Sequence, residues 1–201
     1  MSDRDDTRSD AYTRRLETLA DAGWKRFFDV QAPYRWNIRR LDLGFTLDVG
    51  CGIGRNLLHL GGHGVGIDHN ADSIEVAKQR GCTALTSDTF DDSEHARADH
   101  FDSLLLAHVV EHMRIDEASD LVKRYLGFVR PGGKVVLIAP QEAGYRSDET
   151  HVEFMDASAL ETILVRAGAE YDRCYSFPFP RPVGRVFLHN EFVAVGRRPS
   201  G

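Results

Sequence analysis

At 201 residues, with 42% hydrophobic and 28% charged residues and a formal net charge of −6, the chain has the length of one domain and an ordinary globular composition. The acidic balance gives no footprint for a long phosphate backbone, so no long nucleic acid is expected as a partner. Cys51, Cys82 and Cys174 lack CxxC spacing, no apolar run reaches the length of a membrane span, and no signal peptide is evident; the expectation is a reduced, cytoplasmic protein that engages no membrane.

Residues 1–10 are polar and read as a disordered tail. From residue 11 to about residue 30 the apolar positions Leu16, Leu19, Ala20, Trp24, Phe27 and Phe28 recur at helical spacing, and Pro33 is expected to break that helix. Residues 11–40 form an N-terminal helical cap in this reading, and residues 41–201 the main domain. Tyr34 and Trp36 either pack the cap onto the domain or close over its cleft.

The stretch Thr46-Leu47-Asp48-Val49-Gly50-Cys51-Gly52-Ile53-Gly54-Arg55-Asn56 reads as a buried strand, a glycine turn and the start of a helix. Glycines allow unusual backbone angles and let a ligand reach main-chain amides, which favour a carboxylate or phosphate at a helix start. A dinucleotide fingerprint would need a third glycine at position 55, which is Arg. A short helix over 56–60 follows, then the strand Val65-Gly66-Ile67-Asp68. An acid at that strand end can accept both hydroxyls of a ribose, since ligands of open α/β sheets sit beyond the carboxyl ends of the strands. The alternative for Asp68 is a loop role beside the next helix, over 71–80, which Asp72 or Ser73 can also cap.

A third strand over 82–86 leads into Ser87-Asp88-Thr89-Phe90, and a fourth over 101–107 into His108-Val109-Val110-Glu111-His112-Met113. An amphipathic helix is expected over 116–130, then Pro131-Gly132-Gly133 and a strand over 134–139. Ser158-Ala159-Leu160-Glu161 reads as a capping box opening a helix that ends at Gly168. Two β-rich runs, 171–177 and 191–197, close the chain. Strand–helix alternation of this kind means parallel strands with right-handed crossovers.

The glycine turn, Asp68, Asp88, the 101–113 segment and Pro131-Gly132-Gly133 stand in the order and spacing of class I S-adenosylmethionine (SAM) methyltransferases, and the chain resembles that family over most of its length. The resemblance implies a Rossmann-like α/β three-layer sandwich whose seven-stranded, mostly parallel sheet has an antiparallel last strand. It also implies SAM bound by Asp48, Gly50, Gly52, Gly54, Asn56, Asp68, His69, Asp88, Thr89 and Ala107. In it, Asp68 serves the ribose and Asp88 the adenine.

Methyl transfer from a sulfonium needs alignment above all, and a hydroxyl acceptor also needs help with a proton of pKa about 15. His108, Glu111 and His112 lie at i, i+3, i+4, on one side if the turn is helical, and His151 follows the fifth strand at the same sheet edge. Three imidazoles and a carboxylate can converge there on a divalent metal. The set is similar to the metal site of methyltransferases that modify the 2′-hydroxyl at the 3′ end of small RNAs, with His108 standing where that family has Glu. Mg²⁺ favours oxygen ligands, whereas imidazoles favour Mn²⁺, Co²⁺, Fe²⁺ or Zn²⁺. Without a metal, His112 or His151 is the expected base.

Tyr145, Arg146, Phe177, Phe179 and Arg181, with Tyr34 and Trp36, are the expected substrate residues. The expected activity is SAM-dependent O-methylation of a small hydroxylated acceptor such as a sugar, by a monomer or homodimer. The alternatives are a metal-free small-molecule methyltransferase and a SAM-binding regulator without turnover.

Overall fold

A computed structural model describes residues 31–201. The tail expected over 1–10 and the helix expected over 11–30 lie outside the described residues. Pro33 opens a helix instead of only ending one. It stands in the first turn of α1 (Ala32–Arg40), where a missing N–H costs nothing. The aromatic cluster Tyr34-Arg35-Trp36-Asn37 is therefore helical.

The remaining elements are β1 (Thr46–Val49), α2 (Arg55–His59), β2 (Gly64–Asp68), α3 (Ala71–Gln79), β3 (Thr83–Thr86), α4 (Ser87–Phe90), β4 (Phe101–Ala107) and a 3₁₀ turn (Val110–His112). They continue with α5 (Ile115–Leu126), β5 (Val129–Pro140), α6 (Glu142–Tyr145), α7 (Ala157–Arg166), β6 (Glu170–Phe177), a second 3₁₀ turn (Arg181–Arg185) and β7 (Glu191–Arg197). The seven strands form one sheet in the order β3-β2-β1-β4-β5-β7-β6. β1 to β5 pair in parallel, and β7 runs antiparallel to both β5 and β6.

Alternation along the central strands divides the core between two faces. Leu104, Leu106, Val135, Leu137 and Ala194 pack with Val122 and Tyr125 of α5 and Leu160 and Ile163 of α7. Leu105, Val136, Ile138, Val193 and Val195 face the other way, onto Ile38 and Leu41 of the α1 region. A smaller cluster of Cys51, Leu57, Ile74, Ala77, Cys82 and Ala84 lies beneath α2 and α3. Strands covered on both faces read as continuous apolar runs, as β4 and β5 do.

Three local expectations are corrected. α5 ends at Leu126, because Val129 is already paired with Phe101 as the first residue of β5. The Pro131-Gly132-Gly133 stretch is a bulge within β5, whose register against β4 passes from Phe101↔Val129 to Ser103↔Lys134. The cap of α7 is Asp156, whose Oδ1 accepts from Ala159 N at 2.9 Å; Ser158 is already inside the helix.

Among the described residues, no helix is long and apolar enough to cross a membrane. Replacing Asp156 by Ala is expected to cost about 1 kcal/mol of stability in urea unfolding. Ser158→Ala should change it by less than about 0.5 kcal/mol.

Candidate active site

The site gathers at the carboxyl edge of the parallel strands. β1 ends in the glycine turn, where Gly50, Gly52 and Gly54 have φ of 75°, 51° and 78°, values that L side chains rarely adopt. A Cβ on Gly50 would come within 2.3 Å of Val109 Cγ2, so the turn abuts the loop after β4. A Cβ on Gly52 would meet nothing within 4 Å: this glycine borders open space.

Four amides of the turn are engaged within the protein. Gly50 N and Cys51 N donate to Ile67 O at 2.7 and 3.0 Å, and Gly54 N donates to Cys51 O at 3.0 Å. Gly52 N donates to Asp68 Oδ2 at 2.9 Å. Three of these amides hold the turn against β2 and the fourth closes the turn on itself, while the glycines offer a ligand closeness of approach.

Asp68 ends β2, and its Oδ1 accepts from Asn70 N at 2.9 Å. α3 is capped by Asn70, which accepts from Ser73 N at 3.0 Å, and not by Asp72 or Ser73. Each Asp68 oxygen keeps a lone pair for a further donor. His69 lies 3.3 Å from Asp68 with its own side chain 93% exposed. Asn56 is half-buried in the first turn of α2, Ala107 is half-buried at the end of β4, and Asp88 and Thr89 are exposed in α4.

Asp48 is fully buried, and neither carboxyl oxygen has a hydrogen-bond partner. Burial, with the nearby Asp68 charge adding to it, pushes its pKa up to about 7. A cation brought to the turn would reverse that cost, and SAM carries both an ammonium and a sulfonium. The open face of Gly52 and the orphaned carboxyl of Asp48 fit such a group.

At the end of β4, His108 adopts φ 60°. Its Nδ1 lies 3.2 Å from Glu111 Oε1 and its Nε2 2.9 Å from Glu191 Oε1. Partial desolvation of a side chain still 45% exposed disfavours the imidazolium, but the hydrogen bonds and charges of the two glutamates outweigh it and raise the pKa. With both nitrogens engaged, His108 does not join the other three residues as a ligand; it holds Glu111. Glu111 is fully buried, and its second oxygen, Oε2, has no partner.

One donor atom from each of Glu111, His112 and His151 lies within 4.8 Å of the others. His151 Nδ1 bonds Tyr145 O at 2.7 Å, and the Tyr145 ring stacks on the imidazole at 5.3 Å. His112 Nδ1 meets Thr150 O at 3.3 Å and Thr150 Oγ1 at 3.2 Å. A carbonyl only accepts, so each ring carries its proton on Nδ1 and leaves the Nε2 lone pair free. Two imidazoles and a carboxylate make a donor set for a divalent ion, or a pair of bases.

The expected substrate residues divide. Tyr34 donates to His189 O at 2.7 Å and meets Phe177 edge-on; Trp36 stacks on Phe177 at 6.3 Å, so both hold α1 onto the end of β6. Phe177 is buried in the core, and Phe179 is 47% exposed beside Phe187. Arg146 bonds Arg185 O at 3.0 Å. Arg181 is paired with Glu142 and lies over the Phe192 ring, so its donors serve the loop. Tyr145 is the one of this group that packs against a member of the His/Glu set.

Glu191 and Thr150 escaped the sequence reading. The only signal for Glu191 was a charged residue opening an apolar strand, and its place depends on the Pro140↔Glu191 register.

Residues 47–137 match the model of a methyltransferase domain. The chain carries a methyltransferase domain. Its fold is shared with a TehB-like SAM-dependent methyltransferase from Corynebacterium glutamicum, at 20% identity and TM-score 0.66, covering 96% of this chain and 98% of that one. A SAM-dependent methyltransferase from Archaeoglobus fulgidus matches at 17% identity and TM-score 0.62, over 87% of this chain and 98% of that one. One from Methanosarcina mazei matches at 18% identity and TM-score 0.60, over 78% and 92%. No curated protein matches this methyltransferase by sequence.

In the ligand-free methyltransferase, Asp48 keeps its proton from the ordinary carboxylate range up to about pH 7, while the unfolded chain has released it. Stability therefore falls as pH rises through that window. Asp48→Asn is expected to raise the melting temperature at pH 8 by at least about 3 °C, with the gap narrowing toward pH 5, measured by scanning calorimetry.

Proposed function

We propose that the methyltransferase transfers the methyl group of SAM to a hydroxyl of a small molecule, a sugar or similar polyol, with a divalent metal held by Glu111, His112 and His151. The observation that carries this reading is Glu111 Oε2. A buried carboxylate oxygen without a partner, in a group whose donor atoms lie within 4.8 Å of one another, is costly unless something positive meets it.

SAM supplies a methyl carbon already made electrophilic by the sulfonium. A divalent ion supplies Lewis acidity that brings a hydroxyl of pKa about 15 toward neutrality. The chain's own residues do the rest. The side-chain-free surface at Gly52 admits the donor, Asp48 faces its positive charge from below, and Asp68 offers lone pairs to its ribose. Val109 ties the turn to the β4 end, so donor and acceptor sites share one rigid edge. His112 and His151 would give the ion their Nε2 lone pairs, and Glu111 its free oxygen.

The two-imidazole, one-carboxylate set is poorer in oxygen than Mg²⁺ prefers and favours Mn²⁺ or Co²⁺. Two adjacent hydroxyls can chelate such an ion, which supports a polyol over a simple alcohol. The chain's net charge of −6 weighs against an RNA acceptor.

The same Nε2 lone pairs support a second reading, a metal-free methyltransferase with His112 or His151 as general base. Chelation separates the two. EDTA is expected to stop transfer from labelled SAM to a panel of polyols, and Mn²⁺ to restore it; activity indifferent to EDTA would favour the base. In both readings His112→Ala and His151→Ala should each lower kcat at least about a hundredfold, with SAM affinity by calorimetry within twofold of wild type.

A further inference from the structure

We propose that Asp148 and Thr150 are positioning residues for His112, fixing which ring nitrogen faces the reaction. The proposal rests on the role given above to His112, as ligand or base, and adds how that role is secured.

His112 needs such help. It is exposed and ends a 3₁₀ turn of three residues, Val110–His112. A single turn offers little to stop an imidazole from rotating or exchanging tautomers. His151 has a carbonyl at 2.7 Å and a stacked tyrosine ring. His112 depends on the loop after β5.

That loop is shaped by one carboxylate oxygen. Asp148 Oδ1 accepts from Thr150 N at 3.0 Å and from Thr150 Oγ1 at 2.8 Å, a two-residue turn closed by a side chain. The hydroxyl has a single proton, and the carboxylate takes it. Facing His112 at 3.2 Å, Oγ1 therefore has only lone pairs to offer, as does the Thr150 carbonyl at 3.3 Å. Two acceptors aimed at Nδ1 require a proton there. Nε2 is then left carrying the lone pair, in a group whose donor atoms lie within 4.8 Å of one another. Asp148 orients the acceptors and touches neither the imidazole nor any reacting atom, which is what outer partners of histidine ligands do.

The test compares wild type with Asp148→Ala, Asp148→Asn and Thr150→Val. Imidazole ¹⁵N shifts of the metal-free protein report the tautomer of His112, and calorimetric titration with Mn²⁺ reports the site. Wild type should show His112 protonated on Nδ1. Asp148→Ala and Thr150→Val should show a mixture of tautomers and bind Mn²⁺ at least about tenfold more weakly, with SAM affinity unchanged. Asp148→Asn keeps an oxygen for both bonds and should restore the wild-type tautomer. An unchanged tautomer in both Asp148→Ala and Thr150→Val overturns the proposal, as does an Asp148→Asn variant that fails like the alanine one. If wild type takes up no Mn²⁺ at millimolar levels, the metal reading falls by itself, and the ¹⁵N shifts alone decide the positioning role.

Discussion

The grip of one carboxylate on two segments underlies the whole cofactor side. Asp68 draws the Gly52 amide with one oxygen and the Asn70 amide with the other, joining the turn after β1 to the entry of α3. Because β1 and β2 are parallel neighbours with Val49 opposite Ile67, the bond closes an edge that backbone pairing alone leaves open. The positive φ values at Gly50, Gly52 and Gly54 are what that closure demands of the chain. Three amides, those of Gly50, Cys51 and Gly52, are consumed in it.

Charge at this edge is arranged as an imbalance awaiting a partner. Asp48 is buried without a hydrogen-bond partner, while Asp68 accepts from two backbone amides. On the acceptor side, His108 stands between Glu111 and Glu191 and neutralises part of each, leaving one oxygen of Glu111 over. Ionising a carboxyl group in a buried place is costly, which is why Asp48 holds its proton and Glu111 leans on His108.

Most of the fold was legible because parallel strands buried on both faces leave unmistakable apolar runs at β4 and β5, and glycines punctuate the rest. Boundaries were lost where tertiary pairing outranks local preference. Residues 127–130 continue a helical stripe, yet Val129 is taken by Phe101 of the neighbouring strand. α1 was hidden by a proline read as a terminator, although the same ring is at home in a helix's first turn. In the site, Glu111, His112 and His151 were visible from spacing and topology. His108 was visible too, but spacing does not tell a ligand from a holder; that depends on Glu191, which lies 83 positions downstream. Arg181 looked like a free donor until Glu142 claimed it.

The strand order carries a consequence for biosynthesis. β7 is wedged between β5 and β6, so β6 has no neighbour to join until the later strand has been made. While the ribosome holds back those last residues, the growing polypeptide presents the naked flank of β5, and His108 lacks its second acid. Completion of the sheet and completion of the His108–Glu191 contact thus coincide, and a nascent chain halted before Glu191 would expose a sticky edge to every chaperone and neighbour it meets.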